Sequence, residues 1–330
     1  MFMELYPHIE PYLKDIEERM ATRLDAEDKR VYGMITPFIR RGGKRIRPAL
    51  CLLSCGSCGG KYESALEAAA IIELFHNFTL IHDDVEDDSK FRRGAPTLHV
   101  VYGIPIALNS GDALYTLLWR WLIGLKQPKS RLIALEKLYV DSFKRVVDGQ
   151  GLELDWIREK RFDVSEEDYL GMISGKTSAL MGLSCEVGSM LAGGGKRDMA
   201  ALRRYGERIG AAFQIHDDVL NVTGDFSKYQ KEIGGDITEG KRTLMVVHCL
   251  QKGSETDRTR LKSILLSHTS DKAELEEAIE ILRRCGSIDF ARAESKKLIN
   301  EAKEAIKRFP GSPDKESLER IADYCISREK

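Results

Sequence analysis

The pentapeptide Ile-His-Asp-Asp-Val occurs at 81–85 and again at 215–219. Each copy closes a long stretch of helical periodicity. Ala65-Leu66, Ala69, Ile72, Phe75-His76 and Thr79-Leu80 form the stripe that runs into the first copy. Ala200-Ala201, Tyr205, Ile209, Ala212-Phe213 and Ile215-His216 form the stripe that runs into the second. A helix turns about 100° per residue, so Asp83 and Asp87 lie about 40° apart on one face, as do Asp217 and Asn221. Carboxylates at that spacing repel unless a cation sits between them. Two such clusters, about 130 residues apart, imply two facing helical walls that share metal ions.

Helical stripes account for most of what remains. Leu5, Ile9, Leu13, Ile16 and Met20 form one, and Leu132, Leu135, Leu138-Tyr139 and Phe143 another. From Leu275 to Ile326 the pattern predicts two or three amphipathic helices, split by Arg308-Phe309-Pro310-Gly311. Pro48 suits the first turn of a helix beginning near Arg47. Strand signals are few. Breaks fall at Gly59-Gly60, Gly193-Gly194-Gly195 and Gly234-Gly235, and no linker is long enough to divide the chain. The expectation is an all-α protein, residues 1–330 forming a single-domain bundle of roughly a dozen helices around a central active-site cavity.

A net charge of −1 gives no electrostatic footprint for nucleic acid. The segment Met1 to Met20 carries charges throughout and does not read as a signal peptide. Ala113 to Leu125, the most apolar stretch, contains Arg120 and is shorter than the ~20 apolar residues of a membrane span, so it reads as a buried helix. Seven scattered cysteines fit a reduced, cytoplasmic setting. Cys55-Gly-Ser-Cys58 has CxxC spacing, but no second Cys/His pair lies nearby to complete a zinc site, and Cys51 does not change that.

The chemistry rests on acids flanked by bases. Mg²⁺ takes one or two carboxylates and completes its shell with water and substrate phosphate. The run Arg40-Arg41-Gly42-Gly43-Lys44-Arg45-Ile46-Arg47-Pro48 combines glycine amides, cations and a helix start, the composition of an anion cradle. Arg92-Arg93-Gly94 follows the first acidic cluster, and arginine forks match diphosphate geometry. Lys176-Thr177 follows Gly175, and Lys241 follows Glu239-Gly240. His76 lies seven residues before Asp83, within about 20° of its face, and reads equally as a core histidine or a ligand contact. His82 and His216 point sideways from the aspartates and read as structural.

Taken in order, these motifs resemble the trans-type (all-E) isoprenyl diphosphate synthases, geranylgeranyl diphosphate synthases most of all. The resemblance covers almost the whole chain. It runs through Gly42–Pro48, Glu73-Leu74-Phe75-His76, the DDxxD of Asp83 to Asp87, Arg92–Thr97, Gly111–Leu114, Gly175–Thr177, Phe213-Gln214, the second acidic motif, and Gly240-Lys241 with Thr243-Leu244. It implies an all-α enzyme, homodimeric as a rule, that uses Mg²⁺ to join an allylic diphosphate to isopentenyl diphosphate. By the same resemblance Asp83 and Asp87 bind two Mg²⁺ ions with Asp84 in support, and Asp217 holds a third with Asp218 nearby. Arg92, Lys176, Lys241 and Lys231 contact the allylic diphosphate, while Thr177 and Gln214 border the reacting carbon. Gly43, Lys44, Arg47, His76 and Arg93 hold isopentenyl diphosphate.

The sequence departs from the family pattern at Asn221, where a final Asp is common, around Lys231, flanked by Gln230 and Glu232, and at Met245. The resemblance makes Phe78, five positions before Asp83, the floor of the hydrocarbon pocket and points to a C20 product, with C15 and C25 open. Helical geometry alone favours Thr79, about 40° from Asp83, over Phe78, about 140° away. The competing readings are a class I terpene cyclase and a non-catalytic synthase subunit. The first is opposed by Lys44, Arg47 and His76, the second by the retained aspartates.

Overall fold

The computed structural model describes residues 3–224 and 234–328. Helices make up almost all of it, as the periodicity predicts. Short turns such as Lys29–Tyr32 and Gly235–Thr238 add to the long helices. Among the described residues the only strands are Phe91–Arg92 and Ala95–Pro96, an antiparallel pair. Its two-residue turn puts Arg93 at φ +54° and Gly94 at φ +74°. Both central residues of such a tight hairpin need positive φ, so an arginine is held there against its ordinary preference.

The chain divides into two compact units. The first comprises Met1–Asp141, Gly182–Arg203 and Ile306–Arg320. The Leu66–Glu86 helix packs there against Ile104–Ile123, Ile46–Ser57 and Glu10–Asp25. The N-terminal stripe buries Ile9, Leu13, Ile16 and Met20, and Leu50, Ile72, Phe75, Leu114 and Leu118 are buried with them. Gly111 lets the Ile104–Ile123 helix approach, since a Cβ there would sit 2.2 Å from the His82 ring. Arg45, part of the expected anion cradle, instead turns inward as a packing element. It is 5% exposed and donates to Glu73 and Glu17 at 2.6 Å each. A buried guanidinium needs such partners.

The second unit comprises Ser142–Met181, Arg204–Ala305 and Ile321–Lys330. Ser165 and Asp168 form a capping box at the start of the Glu166–Ile173 helix. A π-helical turn, Ser174–Ser178, follows. Gly149 and Gly175 allow that turn to press against its neighbour, because a Cβ on Gly149 would lie 2.3 Å from the Lys176 nitrogen. The tail resolves into Lys272–Arg284, Ser287–Ile306 and Pro313–Ser327, broken near Pro310 as expected.

One expectation holds in part: the stretch Ala113 to Leu125, expected as a buried helix, buries Leu114, Leu117, Leu118 and Leu122 but exposes Tyr115 and Ile123. A high apolar content reports that a helix dislikes water on several faces, not which face this chain covers. Among the described residues no helix is long and apolar enough to cross a membrane.

Candidate active site

The first acidic motif sits at the C-terminus of the Leu66–Glu86 helix. Asp83 and Asp84 lie in its last turn, and Asp87 is the cap residue, with its N–H bonded to the Asp83 carbonyl at 2.8 Å. Asp88 leaves the helix at φ +50°. The expected Asp83/Asp87 spacing therefore survives at the helix end, where the macrodipole is negative and a cluster of carboxylates is doubly unfavourable. Part of that charge is answered internally. Arg92 Nε donates to Asp84 Oδ1 at 2.7 Å, and its NH2 lies 2.5 Å from the same oxygen. Asp84 is 1% exposed, and its Oδ2 is buried without a hydrogen-bond partner. Burial pushes the Asp84 carboxyl up, and Arg92 opposes it. Arg92 is thus tied first to Asp84.

The cations of the same unit gather beside this face. Gly43, at φ +146°, lies so near the Arg93 guanidinium that a Cβ would come within 3.1 Å. Arg93 reaches Asn77 Oδ1 at 3.4 Å. Arg47 lies in the first turn of the Ile46–Ser57 helix, and its Nε is buried without a partner. Its pKa is lowered to about 10, burial being the main cause, with Glu73 and Asp83 pulling up and Arg93 adding to the fall. Burial first, and then Arg47, Arg93, Arg92 and Arg45, hold the His76 ring well below its ordinary value of 6.5. His76 is therefore a neutral imidazole amid guanidinium groups. Lys44 is half-buried, and its carbonyl accepts from Tyr6 Oη at 3.1 Å. A set of cations in which Arg47 keeps a buried donor without a partner is suited to an anion.

Phe78 packs against Phe75, His82 and Tyr115, with ring centroids 5.4, 4.8 and 5.1 Å away. It faces the Ile104–Ile123 helix. Thr79 turns its hydroxyl back to the His76 carbonyl at 2.9 Å. His82, read as structural, packs on Phe78 and Gly111. All seven cysteines are free, and Cys58 Sγ lies 3.3 Å from Ser189 Oγ.

The second acidic motif lies within the Lys196–Thr223 helix of the other unit. Asp217 Oδ1 meets Arg328 at 3.1 Å. Asp218 is buried, its Oδ2 accepting from Tyr169 Oη at 2.7 Å and its Oδ1 from Gln214 Nε2 at 2.8 Å. Thr177 Oγ1 donates to Gln214 Oε1 at 2.8 Å, so the two residues expected at the reacting carbon do touch. Burial and Asp236 push the Asp218 carboxyl well up, against the pull of Tyr169 and Gln214. Asn221 is buried and works as a loop anchor: its side-chain oxygen accepts from the Asp236 N–H at 3.2 Å, and its carbonyl from the Gly234 N–H at 2.9 Å. His216 bonds the Arg328 carbonyl at 3.0 Å.

Lys176 and Lys241 are both half-buried. Lys176 contacts Glu153, and Lys241 contacts Glu239 and lies 3.8 Å from Asp236. Burial would raise the Glu153 carboxyl, but Lys176 and Lys241 more than offset this and hold it down. Lys231 lies outside the described residues.

Sequence reasoning missed Glu153, Tyr169 and Arg328. Glu153 had a signal: it falls on the buried face of its helix with Gly149 and Trp156, and a buried acid needs a partner. Tyr169 had none, because a tyrosine in an apolar stripe reads as core.

Among the described residues no three His, Cys, Asp or Glu side chains converge to hold an ion unaided. Mg²⁺ draws much of its shell from substrate phosphate and water. The buried, unpartnered Asp84 Oδ2 and the acidic helix end also fit a nearby cation.

A family profile described as Polyprenyl synthetase matches residues 28–282. The chain is 40% identical over 328 residues to a short chain isoprenyl diphosphate synthase of Methanothermobacter thermautotrophicus, covering 99% of each. Its structure is similar to that of geranylgeranyl pyrophosphate synthetase from Pyrococcus horikoshii, with TM-score 0.92, 34% identity and 99% coverage of each chain. It is also similar to a geranylgeranyl pyrophosphate synthase of Corynebacterium glutamicum complexed with isoprenyl diphosphate and magnesium, at TM-score 0.89 and 25% identity, covering 97% of this chain and 99% of that one.

Proposed function

The chain belongs to the polyprenyl synthetase family, and from that premise we propose that it makes geranylgeranyl diphosphate, C20, by adding isopentenyl diphosphate to allylic diphosphates. It is a prenyltransferase. The observation that supports the two-substrate reading is the cluster of Gly43, Arg47, His76 and Arg93 in the same unit as the Asp83 face. An enzyme that only ionised an allylic diphosphate would have no use for a second anion site.

In this reading Asp83, Asp87 and Asp217 hold Mg²⁺, three ions in all, with Asp84 fixing Arg92. Bound Mg²⁺ stabilises the negative charge that develops on the departing diphosphate. Arg92, Lys176, Lys241 and Lys231 contact the allylic diphosphate, Glu153 holding the Lys176 ammonium in place. Lys44, Arg47, Arg93 and His76, with the Gly43 backbone, hold isopentenyl diphosphate so that its double bond meets the allylic carbon. Thr177 and Gln214 turn oxygen dipoles toward the developing cation. The site must exclude water, which would capture that cation. The proton lost from the adduct goes to the released diphosphate. The hydrocarbon grows toward Phe78. Residues 1–330 form a single catalytic domain in this reading.

We also propose a second copy of the chain as partner. Ile133, Val140, Val147 and Leu154 recur every seventh residue of the Lys129–Arg158 helix and are all exposed. Such an apolar stripe marks a protein contact, and a sedimentation experiment that finds only monomer removes it. Seven free thiols support a cytoplasmic location.

The deciding experiment is chromatography of products from the purified chain with Mg²⁺, each allylic primer, and isopentenyl diphosphate present or absent. The expected result is a C20 diphosphate only when both substrates are present. Cyclic hydrocarbon from an allylic diphosphate alone would identify a cyclase. No product from the chain by itself would identify a subunit that tunes another synthase.

A further inference from the structure

The second aspartate of each Ile-His-Asp-Asp-Val copy is buried, but the two carboxylates have different partners. Asp84 takes an arginine. Asp218 takes a phenol and an amide, Tyr169 Oη at 2.7 Å and Gln214 Nε2 at 2.8 Å, one on each oxygen. Gln214 offers Asp218 the NH₂ end of its amide. The carbonyl end then faces Thr177, whose hydroxyl donates to it at 2.8 Å. Four side chains thus form one connected chain, in which Tyr169 and Gln214 each donate to an oxygen of Asp218 and Thr177 donates to Gln214.

We propose that Tyr169 is a positioning residue, which through Asp218 locks the Gln214 amide with its carbonyl oxygen toward the reacting allylic carbon. This rests on the reading that Gln214 and Thr177 border that carbon. Tyr169 itself is 1% exposed and sits in the Glu166–Ile173 helix, whose start the capping box fixes, so its hydroxyl is held at a defined point. Without that hydroxyl Asp218 Oδ2 would be a buried acceptor with no donor. The carboxylate would turn to find one, and the constraint on Gln214 would go with it. A fixed dipole stabilises a developing cation because it needs no reorganisation at the moment of reaction. A loosened one loses that advantage.

The test is a double-mutant cycle on the full-length enzyme with both diphosphate substrates and Mg²⁺. Tyr169→Phe keeps the ring and deletes only the hydroxyl. It should lower kcat about tenfold while leaving the KM for isopentenyl diphosphate within about twofold of wild type. In a Gln214→Ala background the same change should alter kcat by less than about twofold, because the group it acts through is gone. Equal losses in both backgrounds would show that Tyr169 only supports the fold, and the inference falls. So does a folded Tyr169→Phe enzyme with wild-type kcat. If Tyr169→Phe melts below the assay temperature, Asp218→Asn replaces it in the same cycle, and the same coupling to Gln214 is required. A wild-type chain that makes no prenyl diphosphate would overturn the functional reading itself, and this inference with it.

Discussion

The two acidic motifs share five residues and are built for different work. The first lies at the negative end of a 21-residue helix, with Asp87 already at the cap. Its acids crowd where the backbone also repels them, and one oxygen of Asp84 is left without a partner. The second lies within a helix, and both oxygens of Asp218 are satisfied by neutral donors. Its third acidic position is Asn221, spent on anchoring the Gly234–Asp236 turn. The same pentapeptide therefore gives an acidic helix end in one place and a hydrogen-bond chain in the other. Local sequence sets which atoms are available, and position along the helix sets what they need.

The sharpest way to break this contrast is to remove one acid from each motif. Asp83→Ala should lose roughly a thousand-fold in turnover, about 4 kcal/mol of charge stabilisation, while remaining folded. Asp218→Asn should lose only about tenfold and keep the wild-type Mg²⁺ dependence, since its role is orientation. Steady-state rates across a Mg²⁺ titration compare the two. A folded Asp83→Ala enzyme with near-normal turnover would remove the distinction.

Next in size is the anion cluster of the first unit. Arg47→Ala should raise the KM for isopentenyl diphosphate by ten- to a hundredfold, about 1.5–3 kcal/mol, with a smaller change for the allylic primer. Varying one substrate at a time measures it, and a rise confined to the allylic substrate would mean the two anion sites are exchanged.

A change at Phe78 should alter the product more than the rate. The residue lies about 7.5 Å along the helix before Asp83, and its ring meets Tyr115 of the next helix. Phe78→Ala should lengthen the products, and Thr79→Phe should shorten them. Mass spectrometry of the product diphosphates reads both. An unchanged distribution in Phe78→Ala would move the floor elsewhere, with Leu74 and Tyr115 the next residues to test.

The smallest effect concerns His76. Its folded-state pKa is held below the ordinary 6.5 by burial and the surrounding arginines. As pH falls below about 6.5 the unfolded chain takes up a proton that the folded chain refuses, so stability should drop with acidification until the folded value is reached. His76→Gln should flatten that part of the curve. Melting temperatures from pH 7.5 to 5 would show it, and parallel curves for the two proteins would mean that His76 is not so perturbed.

Much of this was legible beforehand because helical periodicity and motif order are properties of the chain itself. The stripes ending in Asp83 and Asp217 and the break at Pro310 follow from spacing and residue type, and the meeting of Thr177 with Gln214 accords with the resemblance. What spacing could not tell was which polar group each side chain would meet once water was excluded. Arg45 and Arg47 are two residues apart in one basic run, yet Arg45 is paired with Glu17 and Glu73 whereas Arg47 keeps a buried nitrogen without a partner. Tyr169 reads as core until Asp218, 49 positions away, is found at its hydroxyl. The stretch Ala113 to Leu125 reads as buried until Tyr115 and Ile123 are found exposed. The sequence by itself determined an all-α chain with two acidic faces and a set of cations to serve them. Only the tertiary structure decided which charges cancel internally and which remain for a substrate, because burying a polar group forces it to find a partner and the sequence does not say which one lies within reach.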